Sequence, residues 1–390
     1  MDSSTTYRNT YVEVDNSIIT ENARIMCERY PHPYMMAVVK GNAYGHGYGI
    51  IPALIRGGIN AFCVSSLDEA LKVREYTKDK PVIMLEPVHD KHYKVCSANN
   101  ISVCINCEET LDEAIQSNEN LRVHIKVDCG MNRLGFKDKE ALKKACDKAF
   151  SAKNLETEGL FSHFHTSGMS DVEYAANRKR FEELTSGLDL SRFPIVHIDK
   201  SQTVMAHDKP DYTTGVRFGI VLYGFNLLRR FDNSPRGRLS KLKYNLLNRL
   251  HHVPYSNPRP NLNLKTAISM YTEVIQVKHV AAGEYVGYGL LHKAERDEYI
   301  AVIDTGYADG INRKRPGSLV CINHKKYPII GEIGMGMCEV LADESVKRHD
   351  RVTVVGDEIP IVHVTMHVGT TMYDLMTGIN SDIPRRYINE

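Results

Sequence analysis

Tyr34-Met35-Met36-Ala37-Val38-Val39-Lys40 runs directly into Gly41-Asn42-Ala43-Tyr44-Gly45-His46-Gly47-Tyr48-Gly49. The first part is an apolar run of strand length, and the second reads as a glycine-rich turn. Comparable runs follow at residues 60–66, 81–87, 102–107, 122–128, 159–164, 194–200 and 215–221. Helix-like stretches such as 66–74 and 137–152 lie between most of them. Eight alternations of strand and helix predict an α/β fold, a parallel (β/α)8 barrel of TIM type. A doubly wound open sheet usually needs fewer strands. No G-x-G-x-x-G follows the first strand to support a dinucleotide site.

The texture changes after about residue 225. Residues 229–260 are polar and poorly periodic, with Ser234-Pro235, Val253-Pro254, Asn257-Pro258 and Arg259-Pro260. Arg229, Arg230, Arg236, Arg238, Lys241, Lys243, Arg249 and Arg259 face only Asp232 there. The segment reads as a long basic connection rather than a core element. Its charge suits an acidic partner or nucleic acid. No aromatic or helical recognition pattern accompanies that charge, so a solvated, flexible insert is the better reading. Beyond it, close-packed strands and short helical stretches predict a mostly β domain. The expected organisation is a strand within 1–14 added to that domain, a barrel over 15–228, the basic insert over 229–263 and the β domain over 264–390.

A length of 390 residues allows a large core in one or two domains. A net charge of +1 gives no global reason to expect nucleic acid or an anionic membrane. No apolar run reaches membrane-spanning length, and no signal peptide is visible, so a cytoplasmic protein is expected. Nine scattered cysteines fit free thiols in a reducing compartment. Cys104 and Cys107 form a lone C-x-x-C inside an apolar run, which reads as buried thiols, and no metal is expected.

In such a barrel, function collects where strands end. Lys40 ends the first strand, Lys126 and Asp128 the fifth, His163 the sixth, and His197, Asp199, Lys200 and Ser201 the seventh. Arg217 and Gly219 sit in the eighth. Lys40 has two readings: an amine nucleophile with a pKa lowered by burial, or a strand-end lysine snorkelling to water. The usual phosphate pocket of these barrels lies after the seventh and eighth strands, where Ser201 offers a hydroxyl and Gly219 lets the backbone approach an anion. Tyr44 adds a phenol. A lysine, a phosphate cradle and an arginine are the parts needed to hold pyridoxal phosphate (PLP).

The string Val38-Val39-Lys40-Gly41-Asn42-Ala43-Tyr44-Gly45-His46-Gly47 resembles the PLP-lysine segment of the alanine racemases. Further motifs similar to that family follow in order at 126–135, 216–224, 283–289, 306–310 and 331–335. The resemblance implies that Lys40 holds PLP and acts as one base, while Tyr288 is the opposite base. Arg217 would face the pyridine nitrogen, and His163 would link Tyr288 to Arg217. Tyr44, Ser201, Gly219 and Ile220 would hold the phosphate, with His197 supporting the ring. Arg133 would clamp the substrate carboxylate, positioned by Lys126, a lysine often carbamylated in the family. The family's head-to-tail homodimer implies that Tyr288, Tyr307 and Met335 complete the partner's site.

Ser381 stands where a tyrosine is usual, Lys200 where asparagine is common and Gly336 where aspartate is common. A smaller residue at 381 would admit a side chain larger than methyl. Alanine is the first substrate expected, serine or a broader range the second, and a basic amino acid the third, since Lys200 opposes a cation. A barrel-type PLP decarboxylase and a non-catalytic PLP-binding protein remain as alternatives. Arg217 argues against the former. Tyr288 and the β domain argue against the latter.

Overall fold

The computed structural model describes residues 7–165, 170–226, 234–253 and 262–390. The chain divides into two compact units: Met1–Ile18, Gly41–Ile50 and Thr266–Glu390 form one, and Ile19–Lys40 with Ile51–Lys265 the other. Strand β1 (Tyr11–Asp15) belongs to the first unit.

The second unit is built on parallel strands β2 (Tyr34–Val38), β3 (Ala61–Val64), β4 (Val82–Met84), β5 (Ile101–Ile105), β6 (Leu121–Lys126), β7 (Leu155–Phe161), β8 (Ile195–His197), β9 (Asp199–Lys200) and β10 (Gly215–Phe218). Each pairs with the next in sequence from β2 to β8, and β10 pairs with both β9 and β2. β8 and β9 are one strand interrupted at Ile198, so the sheet closes as the expected eight-stranded barrel. Every residue of β3, β4 and β5 is buried. That is why these strands read as continuous apolar runs: one face meets the barrel interior and the other the surrounding helices. The helix Leu67–Tyr76 starts at a capping box in which Ser66 and Glu69 satisfy each other's backbone N–H groups.

The 229–263 stretch departs from the poorly periodic connection expected. Pro235–Leu250 is a helix of 16 residues. Ser234 caps it by accepting from Gly237 N at 3.0 Å, and Pro235 occupies the first turn. Ser-Pro was read as a break, but proline at the first helical position costs nothing because its missing N–H has no partner there anyway. Arg229, Arg230, Asp232 and Arg259 lie outside the described residues.

The first unit holds β11 (Ile268–Val280), β12 (Tyr285–Val286), β13 (His292–Lys293), β14 (Glu298–Ile303), β15 (Leu319–Ile322), β16 (Lys325–Ile330), β17 (Cys338–Ala342), β18 (Arg351–Val355) and β19 (Arg385–Ile388). The sheet order is β14-β17-β16-β15-β18-β11-β1-β19, and β14 also pairs with β11, closing six strands into a ring. β1 lies antiparallel to β11 and parallel to β19. β12 and β13 form a separate hairpin. Two short helices, Ile361–Val368 and Met372–Thr377, complete this mostly β unit.

Candidate active site

Lys40 leaves the barrel just after β2, where Val39 N donates to Cys63 O at 2.9 Å. Its side chain is 41% exposed and its ammonium lies 4.0 Å from Glu86. Of the two readings of Lys40, the strand-end lysine reaching toward water is the one observed, and not the lone buried ammonium. The chain then winds through a left-handed turn: Gly41, Asn42 and Ala43 have φ of 64°, 54° and 50°, and Tyr44 follows at 52°. Left-handed φ costs a residue with a Cβ roughly 1–2 kcal/mol. Hydrogen bonds Gly45 N to Gly41 O (3.0 Å) and Gly47 N to Asn42 O (2.9 Å) hold the turn. A Cβ on Gly45 would sit 2.1 Å from Met376 O, so only glycine fits there. Strain of this kind gathers at functional sites.

Within the barrel, five strands each contribute one side chain to a buried chain of hydrogen bonds. Arg217 on β10 donates to His197 Nδ1 at 2.7 Å. His197 Nε2 meets His124 Nδ1 on β6 at 3.0 Å. His124 Nε2 meets Glu158 Oε2 on β7 at 2.9 Å, and Ser102 on β5 donates to the same oxygen. A guanidinium only donates, so His197 Nδ1 accepts, and each imidazole carries its proton on Nε2. The chain runs from a cation to an anion through two neutral rings. Burial and the adjacent Arg217 charge push His197 far below the usual histidine range. Burial raises the Glu158 carboxyl, but hydrogen bonds from His124 and Ser102 and the Arg122 charge bring it down to about 2. A register shift in β6 sets His124 opposite Gly159, where a Cβ would lie 2.1 Å from the imidazole.

Arg217 spends its other donors on the carbonyls of His197, Ser162 and Ile198. Among the described residues these bonds do not reach His163, which is half-buried beside Ser162. Burial and the cations Lys200, Arg217, Lys126 and Arg133 push His163 well below its ordinary pKa. Lys126 ends β6 with its ammonium 4.2 Å over the Phe161 ring. Burial, with Arg217 and Arg133 adding repulsion, lowers it to about 8. Lys200 also falls to about 8, for burial and for the same two arginines, and it donates to Phe164 O at 3.0 Å. Two amines held down by desolvation and by neighbouring cations make the local potential positive, which favours anions.

Asp128 organises the following loop by accepting from the backbone N–H groups of Gly130, Asn132 and Arg133 at 2.9, 3.0 and 3.0 Å. The Arg133 side chain is exposed there. At the ends of β9 and β10, Ser201 Oγ accepts from Gly219 N at 3.0 Å, beside buried Ile220. Tyr223, just beyond, donates to Val38 O at 2.9 Å and ties this corner to β2.

In the β unit, Tyr288 stands at the tip of the β12–β13 hairpin, 72% exposed, between Gly287 and Gly289 at φ of 71° and 72°. Tyr307 N and Ala308 N donate to Gly334 O and Met335 O at 3.0 and 2.9 Å, which brings Tyr307 beside Met335. A Cβ on Gly306 would lie 2.4 Å from both acceptor carbonyls. Leu290, Leu291, Met335 and Met337 are all exposed here. Ser381 lies exposed in the turn before β19, and a Cβ at Gly336 would meet nothing within 4 Å.

Residues 14–227 match the family model for the alanine racemase N-terminal domain, and residues 267–387 match that for the C-terminal domain. The chain belongs to the alanine racemase family. Relatives include an alanine racemase of Streptococcus gordonii, 32% identical over 90% of both chains. One from Listeria innocua is 29% identical over 98% of this chain and 99% of its own. The crystal structure of alanine racemase from E. faecalis superposes with a TM-score of 0.85 at 32% identity, covering 98% of both chains. A histidine racemase from Leuconostoc mesenteroides shares the fold at a TM-score of 0.84, 23% identity and 99% coverage of each chain. The protein is an amino-acid racemase.

Sequence reasoning missed His124, Glu158 and Ser102 as members of the site's support. The signal was present. His124 and Lys126 are two apart on one strand, as are His197 and Asp199 on the barrel wall, so each pair faces one side.

Proposed function

We propose that the protein racemises alanine with PLP, using Lys40 and Tyr288 as its two bases. The observation that carries this reading is Arg217: a buried, permanently charged group fixed by neutral acceptors. It has no proton to give a pyridine nitrogen, which suits racemisation and not decarboxylation. The remaining donors fit the cofactor's parts. Lys40 supplies an amine for its aldehyde, and Ser201 and the Gly219–Ile220 backbone supply a cradle for its phosphate, with Tyr44 a candidate phenol. His197 supports Arg217. Once a substrate amine has displaced Lys40 from the aldehyde carbon, the cofactor would supply the acidity of the substrate's α-proton and leave Lys40 a free amine.

The chain's own residues do the rest. Lys40 Nζ accepts or returns a proton on one face of the α-carbon. Tyr288 Oη does so on the other, which inverts configuration. Arg133 clamps the substrate carboxylate in a planar fork. Lys126, with its amine lowered to about 8, is open to carbamylation, and the resulting carboxylate would steady Arg133. His163, kept neutral, serves as a hydrogen-bonding partner for the tyrosine. Tyr288, Tyr307 and Met335 are exposed on the β unit among Leu290, Leu291 and Met337. That apolar patch supports a homodimer in which each copy completes the other's site. Nine free cysteines fit a reducing cytoplasm.

Serine is the second substrate, favoured by exposed Ser381 and by the open space at Gly336. The test is chiral chromatography of PLP-loaded protein against single L-amino acids, including serine and histidine. D-alanine as the dominant product supports the reading, and D-serine would reassign the substrate. Carbon dioxide release, or no D-product at all from protein with an absorbance band near ~420 nm, would overturn it.

A further inference from the structure

The helix Pro235–Leu250 lies between the two family matches, which end at 227 and begin at 267. It is mounted in an unusual sense. The side turned to the barrel is polar: Asn248 is its one buried residue, and its amide donates to Asp171 Oδ2 at 2.6 Å. Ser240, Tyr244 and Asn245 share that side and are half-buried. The leucines point the other way. Leu239, Leu242, Leu246 and Leu250 are 67%, 66%, 55% and 64% exposed, and Leu247 is 42% exposed. Spacings of three, four and four place the first four in one stripe about 80° wide.

Cations border the stripe on both edges. Arg236 and Lys243 follow one edge, Arg238 and Arg249 the other, and Lys241 lies further round. No acidic residue occurs between Ser234 and Leu250. Such a face opposes pairing with its own copy, since four positive charges would meet four more. A nucleic acid offers nothing to the leucines. A flat anionic surface satisfies both features together: the leucines enter an apolar layer while the flanking stems carry their charges up to one plane of phosphates. We propose that this helix seats the protein on an anionic lipid surface, as a peripheral contact and not a span. Among the described residues no helix is long and apolar enough to cross a membrane.

The chain contains no tryptophan, so Leu246→Trp introduces a single indole at the centre of the stripe. The full-length variant is titrated with phosphatidylglycerol vesicles and with phosphatidylcholine vesicles. Its emission is expected to shift to the blue with the former only, and to revert in high salt. Adding Leu239→Gln and Leu242→Gln should weaken that partition at least about tenfold while racemase turnover stays unchanged. Unchanged turnover also shows that these variants fold. No shift with either vesicle overturns the proposal. An equal shift with polyglutamate alone overturns it in favour of an acidic protein partner. A lipid-independent shift that tracks protein concentration and a larger sedimenting species overturns it in favour of self-association.

Discussion

The barrel and the β unit carry their candidate site residues in opposite ways. Arg217, His197, Lys126 and Ser201 are buried, and hydrogen bonds or ring contacts within the barrel hold them. Tyr288, Tyr307 and Met335 are exposed, and it is their backbone that is held, by glycines at positive φ and by carbonyl acceptors. The first group is fixed by the chain itself. The second is presented, with rigid backbone and uncovered side chains, as surfaces made to meet something else are.

The sharpest way to break this contrast is to remove each base in turn. Lys40→Ala is expected to abolish turnover and the ~420 nm band together. Tyr288→Ala should keep the band and lose roughly 10²–10⁴-fold in kcat. Full activity in Tyr288→Ala would end the two-base assignment. Mixing the two inactive variants should restore roughly a quarter of wild-type turnover if each copy completes the other's site. Zero recovery after subunit exchange would place both bases in one chain.

The buried side of the contrast is tested through stability. Gly159→Ala forces a methyl against the His124 ring, with an expected loss of about 1–3 kcal/mol by denaturant unfolding. Glu158 sits at about 2, below its ordinary 4.5. The stability it contributes is present above pH 4.5 and drains away as the pH falls toward about 2. Glu158→Gln should flatten the stability profile across that acid window. Lys126 has the same sense in an alkaline window: its folded pKa of about 8 lies below 10.5, so the cost of burying its charge is full below pH 8 and the folded state gains relative stability as the pH rises between those values. Lys126→Met should remove that gain, the smallest of these effects.

The barrel was legible because parallel strands buried on both faces must be apolar throughout, and eight such runs leave few other folds. The motif resemblance named Lys40, Arg217 and Tyr288 before any geometry was known. What the sequence hid follows from packing. The spacing puts His124 on the same side of its strand as Lys126, but only the shifted register of β6 against β7 brings it to Glu158. The helix Pro235–Leu250 was legible in Leu239, Leu242, Leu246 and Leu250, which keep helical spacing, but the prolines around it and its run of cations masked that period. Lys40's half exposure was one of its two readings, but its neighbour Glu86 was invisible, since Glu86 comes from another strand end.

The border between the two units runs through the peptide bond that follows Lys40. The chain leaves the barrel unit at that lysine, spends Gly41–Ile50 packed with the β unit, and returns at Ile51. A cut after the barrel would strip Gly45 of Met376 and Gly49 of the Tyr387 hydroxyl it donates to at 3.1 Å. The modules are therefore not interchangeable parts. Anyone grafting a foreign β unit onto this barrel must carry ten residues from beside the lysine along with it, or rebuild the ground on which the lysine's own turn rests.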